Sequence, residues 1–123
     1  MMKTMEFLIP TPGTDAVTFY LPIKDPSRLI GLLVSAGGAQ ISGTVTIEDG
    51  ATNTIMTADL SDIDAAGDVV RGTFAGTEAQ QKVIFDHTNP LVLKIDLQAD
   101  ADVGIQLVLD PFQIGKHKGL ATS

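Results

Sequence analysis

The chain has 123 residues, with 15 acidic and 8 basic side chains, a net charge of −7 and no cysteine. This length fits one domain whose core is stable without disulfides, and the lack of cysteine excludes a thiolate metal site. The negative charge argues against a nucleic-acid partner, because phosphate binding needs clustered Lys and Arg. No apolar stretch reaches the roughly 18 residues of a membrane-spanning helix, so we expect no membrane partner either.

Alternation of apolar and polar residues predicts a series of short β-strands. The two clearest windows, 91–98 and 103–110, each place four apolar residues on one face of a strand. The predicted strands, in chain order, are 5–9, 17–21, 28–35, 41–48, 53–60, 68–75, 81–86, 91–98 and 103–110.

Turn-forming residues separate these windows about every 8–12 residues, which is typical of a sandwich or barrel. Gly37-Gly38 predicts a tight hairpin and Asp49-Gly50 a slightly longer one. Asp100 and Asp102 lie between the two clearest strands, which we expect to pair with each other as a hairpin.

The fold class that follows is all-β, an antiparallel β-sandwich or jelly roll of about eight or nine short strands. Residues 1–114 form one domain, and residues 115–123 are expected to be a flexible basic C-terminal tail. Periodicity leaves open whether the strand order is that of a jelly roll or of an immunoglobulin-like Greek key.

The titratable side chains suggest no catalytic set. His87 lies at the end of a predicted strand and His117 lies in the tail, and no G-x-S-x-G motif accompanies either. We therefore expect a binding protein that is not an enzyme and needs no cofactor. Three aspartates are calcium candidates because Ca²⁺ prefers carboxylates from a compact loop, although a solvated loop is the favoured interpretation. They are Asp59, Asp62 and Asp64.

Apolar residues exceed what one buried strand face requires in two segments, near residue 8 and near residue 30. A core covered on two sides and a partner surface both explain this excess. The tail adds basic groups to an acidic body. The candidate partner-binding residues are Phe7, Leu8, Ile9, Leu29, Ile30, Leu32, Phe112, Lys116, His117 and Lys118.

The segment Gly43-Thr44-Val45-Thr46-Ile47-Glu48-Asp49-Gly50, the loops rich in Asp, Ala and Gly, and a short extension at each end resemble the small capsid decoration (cement) proteins of tailed bacteriophages. The resemblance implies binding at capsomer junctions, often as a trimer, with a terminal arm on the shell. Its implied partners are further copies of this chain, with a trimer favoured, and a major capsid or other virion protein. The implied location is the virion, assembled in the host cytoplasm.

A second hypothesis is a carbohydrate- or ligand-binding β-sandwich module, with a structural Ca²⁺ as an option. Such a module needs exposed aromatic rings to stack on a sugar. Tyr20 is the only tyrosine of the chain and there is no tryptophan, which favours the virion hypothesis.

Overall fold

The computed structural model describes residues 2–37, 41–60, 68–76 and 82–111. The regular elements of these residues are β-strands arranged in two antiparallel sheets, which confirms the predicted all-β sandwich. The strands are β1 (Lys3–Ile9), β2 (Val17–Leu21), β3 (Ser27–Ala36), β4 (Gly43–Glu48), β5 (Thr54–Asp59), β6 (Val69–Arg71), β7 (Thr73–Phe74), β8 (Ile84–Phe85), β9 (Leu91–Leu97) and β10 (Val103–Pro111).

The strand order is that of a jelly roll. Sheet A has the order β1-β10-β3-β6, with β8 also paired to β3, and sheet B has the order β2-β9-β4-β5-β7. The principal strands pair from the outside inwards: β1 with β10, β2 with β9, β3 with β6, and β4 with β5. Successive pairs alternate between the two sheets, as in a long hairpin wrapped around a core. This order resolves the alternative that periodicity left open.

Two of the predicted hairpins are wrong. The strands β9 and β10 lie in opposite sheets, and the segment between them carries the chain across the sandwich with Ala101 buried. Each strand packs one face against the same core, from opposite sides. Their alternation of apolar and polar residues is therefore the same as that of two strands in one hairpin. Gly37-Gly38 likewise precedes a change of sheet from β3 to β4.

The Asp49-Gly50 hairpin is confirmed, since β4 and β5 pair in antiparallel register. The residue with positive φ is Thr52, at 67°, and not Gly50. The Asp49 carboxylate holds this turn by accepting hydrogen bonds of 2.9 Å from the backbone N–H of both Ala51 and Asn53. A side-chain acceptor therefore stabilises a turn conformation that glycine would otherwise be needed to adopt.

A β-bulge in β3 accounts for its nearly continuous apolar sequence. In the pairing with β10, Leu109 lies opposite Leu29 and Val108 lies opposite Gly31, so Ile30 is the extra residue. An extra residue reverses the alternation of faces along a strand. Leu29 on one side of the bulge and Leu32 on the other therefore both point into the core.

The core lies between the sheets and consists almost entirely of aliphatic side chains. Burial of such side chains is the main stabilising contribution in a domain without disulfides. The largest fully buried side chains are Phe85, Leu29, Leu32, Ile47, Ile55, Met56, Leu60, Leu91, Leu93, Ile95 and Leu97.

Candidate interaction surface

The outer face of sheet B is polar. Its middle row consists of four threonines and a lysine, which lie in register as Thr18, Lys94, Thr46, Thr57 and Thr73. The Lys94 Nζ lies 3.2 Å from Glu48 Oε2, which pairs the one cation of the row with a carboxylate on the neighbouring strand. Among the described residues of this face, Tyr20 on the edge strand β2 is the only strongly exposed large apolar side chain.

The outer face of sheet A is hollow in the middle and apolar at its sides. One row across the sheet runs from Leu8 on β1 through Gly104 on β10 and Ser35 on β3 to Val69 on β6. Leu8 and Val69 are 64% and 59% exposed, which is high for large apolar side chains. The row therefore has two apolar walls and a centre of two small residues.

A concavity of about 400 Å³ lies over this centre. Gly104 forms its floor, and a Cβ atom at this position would lie 2.6 Å from the Ser35 Oγ. Leu33 and Gln106 border the concavity on the side of the next row. A side chain at residue 104 would therefore reduce the hollow, because its Cβ would meet Ser35 in the centre.

Opposite charges lie at the two ends of the next row. This row runs from Glu6 through Gln106 and Leu33 to Arg71, all on the outer face. Three strand spacings separate Glu6 from Arg71, which is about 14 Å. In the described part of the chain neither side chain has an ion pair. The charges are therefore available to groups outside the chain.

The structure divides the predicted partner residues near the N-terminus between two faces. Phe7 and Ile9 point inwards and pack against the core, each half-buried at the edge of sheet A. Leu8 lies between them and points outwards. The first of the two apolar segments therefore contributes Leu8 to the surface.

The second predicted segment is mainly core. Leu29 and Leu32 are 2% and 0% exposed, so neither side chain is accessible to a partner. The bulge leaves Ile30 partly exposed, and Leu33, which was not among the predicted residues, borders the hollow. Phe112, Lys116, His117 and Lys118 lie outside the described residues, as does the predicted tail.

Sequence reasoning missed Val69, Gly104 and Ser35. Local patterns offer one signal for Val69: in the pair Val69-Val70 only one valine can face the core, and Val70 does so. No local signal marks Gly104 or Ser35 as neighbours, because 69 positions separate them and only the pairing of β10 with β3 brings them together.

The acidic residues of the described segments do not form a metal centre. No group of three or more His, Cys, Asp or Glu side chains with suitable geometry occurs within residues 2–37, 41–60, 68–76 and 82–111. Asp59 is exposed at the end of β5, and the other two calcium candidates, Asp62 and Asp64, lie outside the described residues.

Two aspartates at one end of the sandwich, Asp49 and Asp86, stabilise turns by accepting hydrogen bonds from backbone N–H groups. Burial by itself raises the pKa of Asp49, but hydrogen bonds from Asn53 and Ala51 outweigh it, and the pKa lies below its ordinary value. Hydrogen bonds from Thr88 are the main cause of a lowered pKa at the partly exposed Asp86. The two turns also contact each other, since the Gly50 N–H donates to Asn89 Oδ1 at 2.8 Å. The carboxylates of Asp49 and Asp86 therefore stabilise their turns in the ionised form.

His87 is exposed in the segment between β8 and β9. His117 lies outside the described residues. The structure has no helix long and apolar enough to span a membrane in the residues it describes.

No protein-family model matches the chain, and no curated protein matches it. Among solved structures, the chain is similar to the VP2 subviral particle of infectious bursal disease virus, at 8% identity and a TM-score of 0.39. The matched region covers 90% of this chain and 32% of that chain, so the protein spans about a third of that neighbour's length. A likeness this distant assigns neither a family nor a function.

Proposed function

We propose that the protein is a structural component of a virus particle, which decorates and stabilises a bacteriophage shell by binding and carries out no catalysis. The observation that carries this proposal is the contrast between its two outer faces. Sheet B presents threonines, whereas sheet A presents a hollow between Leu8 and Val69. An exposed apolar surface of this kind is typical of a protein contact.

The jelly-roll strand order gives independent support by analogy of fold. Viral capsid proteins use this architecture, as do lectins and cupins. A fold alone does not determine function, so the analogy adds to the surface and does not replace it.

The positions of the chain ends fit the proposed attachment of terminal arms to a shell. Lys3 at the start of β1 lies opposite Leu109 near the end of β10. The start of β1 and the end of β10 therefore lie at the same end of the sandwich. The hollow lies near the opposite end of β1, at Leu8. In this proposal the ends bind the shell, and sheet A binds sister subunits.

The carbohydrate-binding alternative has less support. Tyr20 is the only strongly exposed aromatic side chain in the described segments, and it lies on the polar face far from the hollow. One exposed ring gives a sugar little stacking area, whereas sugar-binding sites commonly use several aromatic groups.

Composition of purified particles tests the proposed function. Mass spectrometry of particles from the virus whose genome encodes the chain should find many copies per particle. A deletion virus should release its DNA at a lower temperature than the parent, because binding to the assembled shell stabilises it by mass action. Absence of the chain from purified particles would overturn the proposal.

A further inference from the structure

We infer that two copies of the chain pair face to face through the outer surfaces of sheet A, about a two-fold axis parallel to the strands and between β10 and β3. This inference deepens the self-association in the proposed function, on which its biological role rests. The surface that covers the hollow is therefore the same face of a second copy of this chain.

The proposed axis brings opposite ends of each row together. Rotation about it places β1 of one copy over β6 of the other, at the same height along the strands. Leu8 then faces the partner's Val69, and Val69 faces the partner's Leu8. Both exposed apolar walls are covered at once, as required of an interface in which the same patch serves both copies.

The small residues in the centre allow the walls to meet. Gly104 and Ser35 lie on the two middle strands, and the axis places each over the other in the second copy. Sheets with larger side chains pack about 10 Å apart. In this row no central side chain larger than serine lies between the two copies, so Leu8 and the partner's Val69 can come into contact at the sides.

Charge complementarity selects this orientation. The same axis places Glu6 opposite the partner's Arg71 and Arg71 opposite the partner's Glu6, which makes two ion pairs. A two-fold axis across the strands would instead place β1 over β1, with Glu6 near the partner's Glu6. Opposite charges across an interface fix its orientation, and like charges disfavour the competing one.

The available area fits a weak association. The four strands of this face have 7, 9, 10 and 3 residues, which at about 4.8 Å by 3.3 Å per residue give roughly 460 Å² per copy. The total of about 900 Å² lies just below the roughly 1,000 Å² of a stable specific interface and is typical of a weak, transient one. We therefore expect a dimer that dissociates on dilution.

Sedimentation velocity with the full chain over a concentration series tests the inference. We expect a species of twice the chain mass of 12.9 kDa at high concentration. Arg71→Glu and Glu6→Arg should each raise the dissociation constant at least about tenfold, because each opposes two like-charge pairs. The double variant E6R/R71E restores both pairs and keeps the net charge at −7, so its dissociation constant should return to within about threefold of wild type.

Matched variants on other surfaces are the controls. Lys24→Glu changes the net charge as Arg71→Glu does, at an exposed loop position, and should leave dimerisation unchanged. Leu8→Asp should abolish the dimer, whereas Tyr20→Asp, at a side chain 69% exposed on sheet B, should not. Circular dichroism and the unfolding midpoint of each variant establish that it is folded.

Three outcomes would overturn the inference. These are a wild-type monomer up to roughly 0.5 mM, a trimer by mass, and a double variant that stays as weak as the single variants. Each would leave the proposed virion function to be decided separately by the composition of particles. A confirmed dimer in a protein absent from virus particles would retain the interface and remove the proposed role.

Discussion

The Asp100 carboxylate accepts a hydrogen bond of 2.8 Å from the backbone N–H of Gly13, which lies 87 residues away in the sequence. Its neighbour Asp102 accepts one of 3.0 Å from the N–H of Thr11. The two carboxylates thus tie the loop between β1 and β2 to the segment between β9 and β10, where each connection crosses from one sheet to the other.

These hydrogen bonds predict a stabilising role for two residues that the sequence analysis placed only in the connection between two strands. Asp100→Ala and Asp102→Ala should each lower the free energy of unfolding by about 1 kcal/mol, the usual contribution of such a hydrogen bond. Urea titration measures the change. Asp96→Ala, at an exposed position on the outer face of β9, is the control and should change stability by less than about 0.5 kcal/mol. Equal effects at residues 96 and 100 would contradict the tie.

The lowered pKa of Asp49 predicts a loss of stability in acid. A carboxyl group whose pKa is lower in the folded state stabilises the fold above its unfolded pKa of about 4, and this contribution disappears as the pH falls through the folded value. Asp49→Asn should cost about 1–3 kcal/mol at pH 7. Thermal unfolding between pH 2 and 7 should show the difference between wild type and variant shrinking below about pH 4. A difference that is constant with pH would contradict this role for the ionised carboxylate.

The existence of most strands could be predicted from sequence, because alternation records which residues face a core. Val17, Phe19 and Leu21 show this for β2, whose predicted and observed bounds agree. Pairing could not be predicted in the same way. Thr18 pairs with Lys94 in the other half of the chain, and alternation is identical whichever sheet a strand joins.

The candidate surface was harder to predict than the fold. Its residues come from four strands that are distant in the sequence, at positions 6–8, 33–35, 69 and 104–106, so no local window contains more than one part of the surface. The bulge adds a second difficulty, since it moves Leu32 into the core and leaves Leu33 outside. An apolar segment in sequence therefore indicated the right strand but the wrong side chains.

The bulge in β3 predicts which of its leucines contribute most to the free energy of unfolding. Strict alternation from Leu29 would place Leu33 in the core, whereas the bulge places Leu32 there, at 0% exposure. Leu29→Ala and Leu32→Ala should each cost about 2–5 kcal/mol through loss of burial and creation of a cavity. Leu33→Ala should cost less than about 1 kcal/mol. Urea unfolding midpoints distinguish the two patterns. A large loss of stability in Leu33→Ala would indicate that the strand alternates strictly and has no bulge.

Gly43 in β4 and Gly31 in β3, which lie in different sheets, should respond differently to replacement by alanine. Gly43 begins β4 with φ of 140°, and an added Cβ would overlap the carbonyl oxygen of Asp96 and lie 2.8 Å from the Leu97 Cα. Both neighbours are backbone atoms of β9 that cannot move without breaking the ladder, so Gly43→Ala should cost about 3 kcal/mol or more. At Gly31 the nearest atoms, in the Val108 side chain, lie at an ordinary 3.8 Å. Gly31→Ala should therefore be neutral or stabilise the fold by up to about 1 kcal/mol. Thermal unfolding of both variants measures the contrast, and a Gly43→Ala protein as stable as wild type would show that β4 and β9 do not approach each other as closely as the register requires.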